Sequence, residues 1–166
     1  MPTIQTITPC LWFDAEAEEA AKFYTSIFKH SRILDISRYG EAGQEVHGKP
    51  PGTVLTVAFE LDGQAFTALN GGPIFKFTEA VSFQINCETQ KEVDYYWERL
   101  SEGGDPGAQQ CGWLKDKYGL SWQVVPTVLV RMIADPDPVK AGRVMTAMLQ
   151  MKKLRIDDLQ RAYDSA

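Results

Sequence analysis

One pattern occurs twice in this chain and limits its fold more than any other feature. A short strand-like run, CLWFD (10–14), precedes a helical stretch containing Phe23-Tyr24, and SFQIN (82–86) precedes one containing Tyr95-Tyr96, at an offset of 72 residues. At an offset of 56, GQAFTAL (63–69) falls on GLSWQVV (119–125). Both matches agree in kind, strand before helix and hairpin arm after it. An internal duplication of a β-α-β-β-β unit is the economical reading. The expectation is an α+β protein with module one at 1–73, module two at 79–126 and a helical tail at 127–166.

The individual elements follow from local patterning. ITPCLWF (7–13) reads as a strand. DAEAEEAAKFYTSIF follows, with Asp14 placed as the N-cap and acids in the first turn. Ala17, Ala20, Ala21, Tyr24 and Phe28 recur at helical spacing and form one apolar face. SRILDISRYG reads as a strand and GEAGQEVHGKPPG as a loop. TVLTVAFELDGQAFTALN is a hairpin around Asp62-Gly63, a type I′ turn signal. In the second half, EAVSFQIN (79–86) is a strand and TQKEVDYYWERL (89–100) a helix capped by Thr89. EGGDPGAQQCG is a loop leading into a strand, and WLKDKYGLSWQVVP carries a turn and a last strand. After Pro126 the sequence reads as two or three helices, with Pro136 and Pro138 breaking the first from the second. Val139, Val144, Met145, Met148 and Met151 form an apolar stripe suited to core or dimer packing.

Composition narrows the functional classes. The 166 residues suit one domain with a real core. A net charge of −5 argues against a nucleic-acid partner. No apolar run approaches the length of a membrane span, and MPTIQTITPC lacks a basic region followed by an apolar one, so a cytoplasmic location is expected. Cys10, Cys87 and Cys111 show no C-x-x-C spacing and read as small buried hydrophobes. His47 reads as a solvated loop residue, and His30 as a favourable charge just after the first helix.

Several stretches together resemble one family: PCLWFD, EEAAKFYTSIF, LNGGPIFKF with AVSFQIN, CGWLKDKYGLSWQVVP, and the tail VMTAMLQMKKLRIDDLQRA. It is the PhnB-like group of the vicinal oxygen chelate (glyoxalase/bleomycin-resistance) superfamily, whose members often carry the label 3-demethylubiquinone-9 3-methyltransferase. The resemblance implies a single domain over 1–166, made of two βαβββ modules that form a curved mixed sheet with a concave cleft. It also implies a homodimer. Metal-dependent members place a His or Glu at four equivalent strand positions. Carried onto this chain, those positions are Thr8, Thr67, Ala80 and Gln123. Divalent first-row metals prefer imidazole, carboxylate or thiolate, so the expectation is that no metal or other cofactor is used.

Strand alternation then assigns the faces. Val81, Phe83 and Ile85, together with Leu120, Trp122 and Val124, should pack under a helix, as should Leu11 and Phe13. Ala80, Cys10 and Leu69 face the cleft, with a ligand-binding set of Trp12, Thr67, Ser82, Gln84, Ser121 and Gln123. That set carries no formal charge and no titratable base, which suits a small neutral or planar molecule. Asp116 reads as a turn residue, and Asn70-Gly71-Gly72-Pro73 as a tight connection. Two alternatives stand beside a binding module. One is a metal-dependent enzyme of the superfamily, and the other is the methyltransferase activity in the family label. The latter lacks support from a glycine-rich turn opening a helix after the first strand.

Overall fold

A computed structural model describes residues 4–165. The chain divides into two compact units, the first ending at Lys76 and the second starting at Phe77. The first holds β1 (Cys10–Phe13), α1 (Ala17–Ile27), β2 (Arg32–Arg38), α2 (Gln44–His47), β3 (Val54–Leu61) and β4 (Gln64–Asn70). Its sheet has the order β1-β4-β3-β2, with β1 parallel to β4 and the other pairs antiparallel. The β3–β4 hairpin turns where expected. Asp62 and Gly63 have φ of 48° and 77°, the pair of positive values that a type I′ turn requires.

Helix α1 buries one face of this sheet. Ala17, Ala20, Ala21 and Tyr24 meet a layer of Leu11, Phe13, Val57, Phe59, Phe66 and Ala68, all buried. Small residues on the helix let it approach closely enough for Tyr24 to stack on Phe59, with ring centroids 6.4 Å apart, and Phe59 stacks on Phe66 at 5.5 Å. Asp14 is not the N-cap. Glu16 holds that position without a side-chain cap bond. Asn70 Oδ1, at the end of β4, accepts the Ala17 N–H at 2.8 Å instead. Phe28 falls just past the helix, whose last buried residue is Ile27. The glycine-rich loop also holds one helical turn, α2.

The second unit holds β5 (Ser82–Cys87), α3 (Gln90–Ser101), β6 (Trp113–Lys115) and β7 (Ser121–Pro126), in a sheet of order β5-β7-β6. It has three strands where the duplication suggested four. Between α3 and β6 lie a 3-10 turn at Pro106–Ala108 and one bridge, Gln110 to Trp113. The sequence there, SEGGDPGAQQ, has three glycines, a proline and no apolar alternation, so it cannot present a buried strand face. Helix α3 starts at the predicted cap: Thr89 accepts from the Glu92 N–H while Glu92 reaches back, a full capping box. Its Val93, Trp97 and Leu100 are buried, as are Ile85, Leu114, Trp122 and Val124 of the sheet.

The tail forms three helices, α4 (Thr127–Ile133), α5 (Pro138–Leu149) and α6 (Ile156–Asp164). Asp137 caps α5 ahead of Pro138 at the first helical position. Val125 of β7 joins Leu129, Met132, Val144, Leu154 and Leu159 in one buried cluster, so the tail is part of the second unit's core. Backbone bonds fix it further: Cys111 N–H to Met151 O and Gly112 N–H to Lys152 O, both 2.8 Å. The Gln90 amide accepts from Ile156 N–H at 2.7 Å and donates to Leu154 O at 3.1 Å. Of the predicted stripe, Val144 is buried and Met148 and Met151 pack against the cluster, but Val139 and Met145 turn outward. Among the described residues no helix is long and apolar enough to cross a membrane.

Candidate functional site

Strand register decides which side chains share a face. In the first sheet Cys10 sits opposite Thr67 and Trp12 opposite Leu69. In the second, Ser82 sits opposite Ser121 and Gln84 opposite Gln123. The repeat offsets would put Gln123 opposite Ser82, so the second pairing has slipped by two residues. An even slip leaves every side chain on its expected face. Phe83 and Ile85 accordingly lie on the helix side. Val81 does not: it precedes β5 and is 65% exposed.

The opposite face of the second sheet therefore gathers four of the six predicted ligand residues, Ser82, Gln84, Ser121 and Gln123. Gln123 Nε2 donates to Ser82 Oγ at 2.9 Å, and Gln84 Nε2 donates to Asn86 Oδ1 at 2.8 Å. Ser121 is different. It is 1% exposed, and its hydroxyl has no hydrogen-bond partner. A buried unpaired hydroxyl costs free energy, and each such group calls for an explanation.

The antiparallel β6–β7 register adds two residues that the sequence reading left out. Trp113 is opposite Gln123 and Lys115 is opposite Ser121, so both share the polar face. Lys115 Nζ lies 2.5 Å from Glu79, and that hydrogen bond lowers the Glu79 carboxyl pKa. The sequence led to the expectation of a face without formal charge, and Lys115 puts one there. The missed signal was the alternation in WLK, where buried Leu114 leaves Trp113 and Lys115 on the other side.

Trp12 and Thr67 belong to the first unit. Their face also carries Leu69, Thr56 and Ala58 by register. Trp12 is fixed against the LNGGP connection, with Nε1–H donating to Gly72 O at 2.9 Å and Phe75 edge-on at 4.9 Å. A Cβ at position 71 would fall 2.1 Å from the indole, which accounts for Gly71.

Other candidates resolve into structural roles. Buried Asp116 accepts the Tyr118 and Leu120 N–H groups at 2.9 and 3.1 Å and the Trp122 indole N–H at 2.9 Å, so it organises the β6–β7 turn, as expected, and ties it to the core. His47 is committed at both ring nitrogens, accepting from Lys49 N–H at 3.0 Å and facing Ala42 O at 3.2 Å, with its ring against Tyr39. His30 is exposed and adopts φ of 49°. Of the cysteines only Cys87 is fully buried; Cys10 is exposed and Cys111 half-buried. The four positions inferred for a metal do not form a ligand set. Thr8 and Ala80 precede their strands and are exposed, while Thr67 and Gln123 offer one hydroxyl and one amide. Among the described residues no three His, Cys, Asp or Glu side chains come together. Neutral hydroxyl and amide donors do not suit a divalent first-row metal.

Comparison with known proteins sets this chain in its family. The sequence profile of the 3-demethylubiquinone-9 3-methyltransferase family matches residues 5–125, ending where the tail helices begin. The PhnB protein of Bacillus cereus, provisionally assigned as a 3-demethylubiquinone-9 3-methyltransferase, is 40% identical, with a TM-score of 0.63. The match covers 74% of this chain and 100% of that one. The protein PA1353 from Pseudomonas aeruginosa shares the fold at 18% identity and a TM-score of 0.56, over 75% of this chain and 98% of its own. No curated protein matches the chain. The profile match over most of the sequence, the identity to a whole PhnB protein and the strand–helix units agree, and the chain belongs to the PhnB-like 3-demethylubiquinone-9 3-methyltransferase family.

Proposed function

We propose that this protein binds a small organic molecule on the polar face of its second sheet, without a metal. The observation that carries the reading is the composition of that face: Ser82, Gln84, Ser121 and Gln123, neutral hydroxyl and amide groups brought together by register, with Gln123 at one of the positions where the superfamily's metalloenzymes place His or Glu. Such groups orient a ligand by hydrogen bonding and do not titrate near neutral pH, which supports binding over acid–base catalysis. Trp12 and Thr67, also in the expected ligand-binding set, lie on the face of the first unit's own sheet away from α1.

The methyltransferase activity is supported by the family name alone. No glycine-rich turn follows β1, and the start of α1 is already occupied by Asn70 with Glu18 and Glu19 in the first turn. That arrangement does not fit a nucleotide-like cofactor docked at a helix N-terminus. The proposal includes a homodimer, in keeping with exposed Val130, Val139 and Leu149 on the tail, and a cytoplasmic setting, in keeping with three free thiols.

Elemental analysis of protein incubated with zinc, nickel, manganese and iron tests the reading first. The expected result is no stoichiometric metal. A metal bound one to one would overturn the face assignment and restore the metalloenzyme.

A further inference from the structure

The polar face has a cation, a competing anion and an orphaned donor at one end: Lys115, Glu79 and Ser121. Lys115 is directly opposite Ser121, a spacing that places their Cβ atoms about 5 Å apart. Ser82 flanks Ser121 on the other side. The Lys115 side chain is 25% exposed, whereas Glu79, its partner, is 63% exposed and comes from the segment before β5. An ion pair with one member so open to water is weak and readily exchanged. The Ser121 hydroxyl is buried and has nothing to donate to.

We infer that the molecule bound on this face is a planar monocarboxylate, taken up when its carboxylate replaces Glu79 on Lys115. The inference rests on the ligand-binding reading above and names the chemistry of that ligand. One cation matches one negative charge. With the carboxylate held on Lys115, the Ser121 hydroxyl directly opposite donates to its second oxygen. Ser82 and Gln123, already bonded to each other, form the polar floor beyond it. Trp113, one cross-strand pair further along the same face, supplies a flat indole for the rest of the molecule. Glu79 acts as the stand-in anion that keeps Lys115 paired when the face is empty.

The test uses two probes of the same shape and different charge, benzoate and benzamide, titrated into the full chain at millimolar concentration. The amide resonances of Trp113, Ser121 and Gln123 are followed by NMR. Benzoate is expected to bind at least tenfold more tightly than benzamide. Glu79→Gln should tighten benzoate about three- to tenfold by removing the competitor, and Lys115→Met should reduce it to the benzamide level. Ser121→Ala should weaken benzoate and leave benzamide unchanged. Thermal melting of each variant verifies that it is folded. If benzamide shifts the same resonances as strongly as benzoate, or if Glu79→Gln leaves benzoate affinity unchanged, the carboxylate inference is overturned and the binding face stands. If neither probe shifts these resonances, both readings fall.

Discussion

Helices α1 and α3 hold the same place in their two units, each following a strand and packing on its own sheet, yet their first turns are held by different means. Thr89 and Glu92 cap α3 within four residues of chain. For α1 the cap is Asn70, 53 residues later, whose Oδ1 takes the Ala17 N–H while its Nδ2 donates to Val54 O at 3.1 Å and its backbone carbonyl accepts the Tyr39 hydroxyl at 2.6 Å. In the first unit, then, the start of the helix, the end of β4 and the β2–β3 connection meet on one buried amide. In the second unit the helix start is self-sufficient, and long-range fixing has moved to the tail, through Gln90, Met151 and Lys152. One β-α-β repeat has been closed from inside in the first copy and from an added segment in the second.

The largest effect that would sharpen this contrast is in the tail. Leu154 is fully buried in the Val125 cluster, and its side chain would clash with any Cβ at Gly112, which itself has φ of 83°. Leu154→Ala should destabilise the second unit by about 3 kcal/mol, the usual cost of a cavity at a packed leucine. Urea denaturation followed by tryptophan fluorescence reads this. A loss under about 0.5 kcal/mol would show the tail to be an appendage and not a core element.

The two caps come next, and they test the comparison directly. Asn70→Ala removes the α1 cap and also leaves the Val54 carbonyl without its donor, so about 2 kcal/mol is expected. Thr89→Ala removes one half of a solvent-exposed box and should cost about 1 kcal/mol. Equal costs at the two sites would mean that Asn70 is only a cap, and the idea of a shared buried anchor in the first unit would fail.

The same contrast explains what could be read in the sequence. Features set by neighbouring residues were legible: the Asp62-Gly63 turn, the Thr89 cap, and the alternation that buries Ile85, Leu120, Trp122 and Val124, with Phe83 half-buried, on the helix side. Features set by distant pairing were not. Asp14 looked like a cap because it precedes the helix, and nothing local points to Asn70. The two-residue slip of Gln123 relative to Ser82 depends on β5–β7 pairing, and the loss of a strand before β6 required weighing a glycine-rich segment against the repeat. Lys115 escaped for a related reason. Its strand is three residues long, so the alternation in WLK is a weak signal, and the pairing with Ser121 is what brings it to the candidate site.

A last, smaller effect separates the faces of the two corresponding strands without perturbing either. Cys10 begins β1 on its open face and is exposed, although partial shielding of the thiol raises its pKa. Cys87 ends β5 on the helix side, and burial, aided by the Glu92 charge, pushes its thiol up to about 12. Since the thiolate is the reacting species, a raised pKa means less of it: at pH 8, a pKa near 12 leaves about one thiolate in ten thousand. Iodoacetamide at pH 8 should therefore label Cys10 in the native protein and reach Cys87 only after denaturation, as peptide mapping by mass spectrometry would show. Native labelling of Cys87 at a rate close to that of Cys10 would put both thiols on accessible surface, and the assignment of Ser82, Gln84 and their partners to the opposite face of β5 would have to be reversed with it.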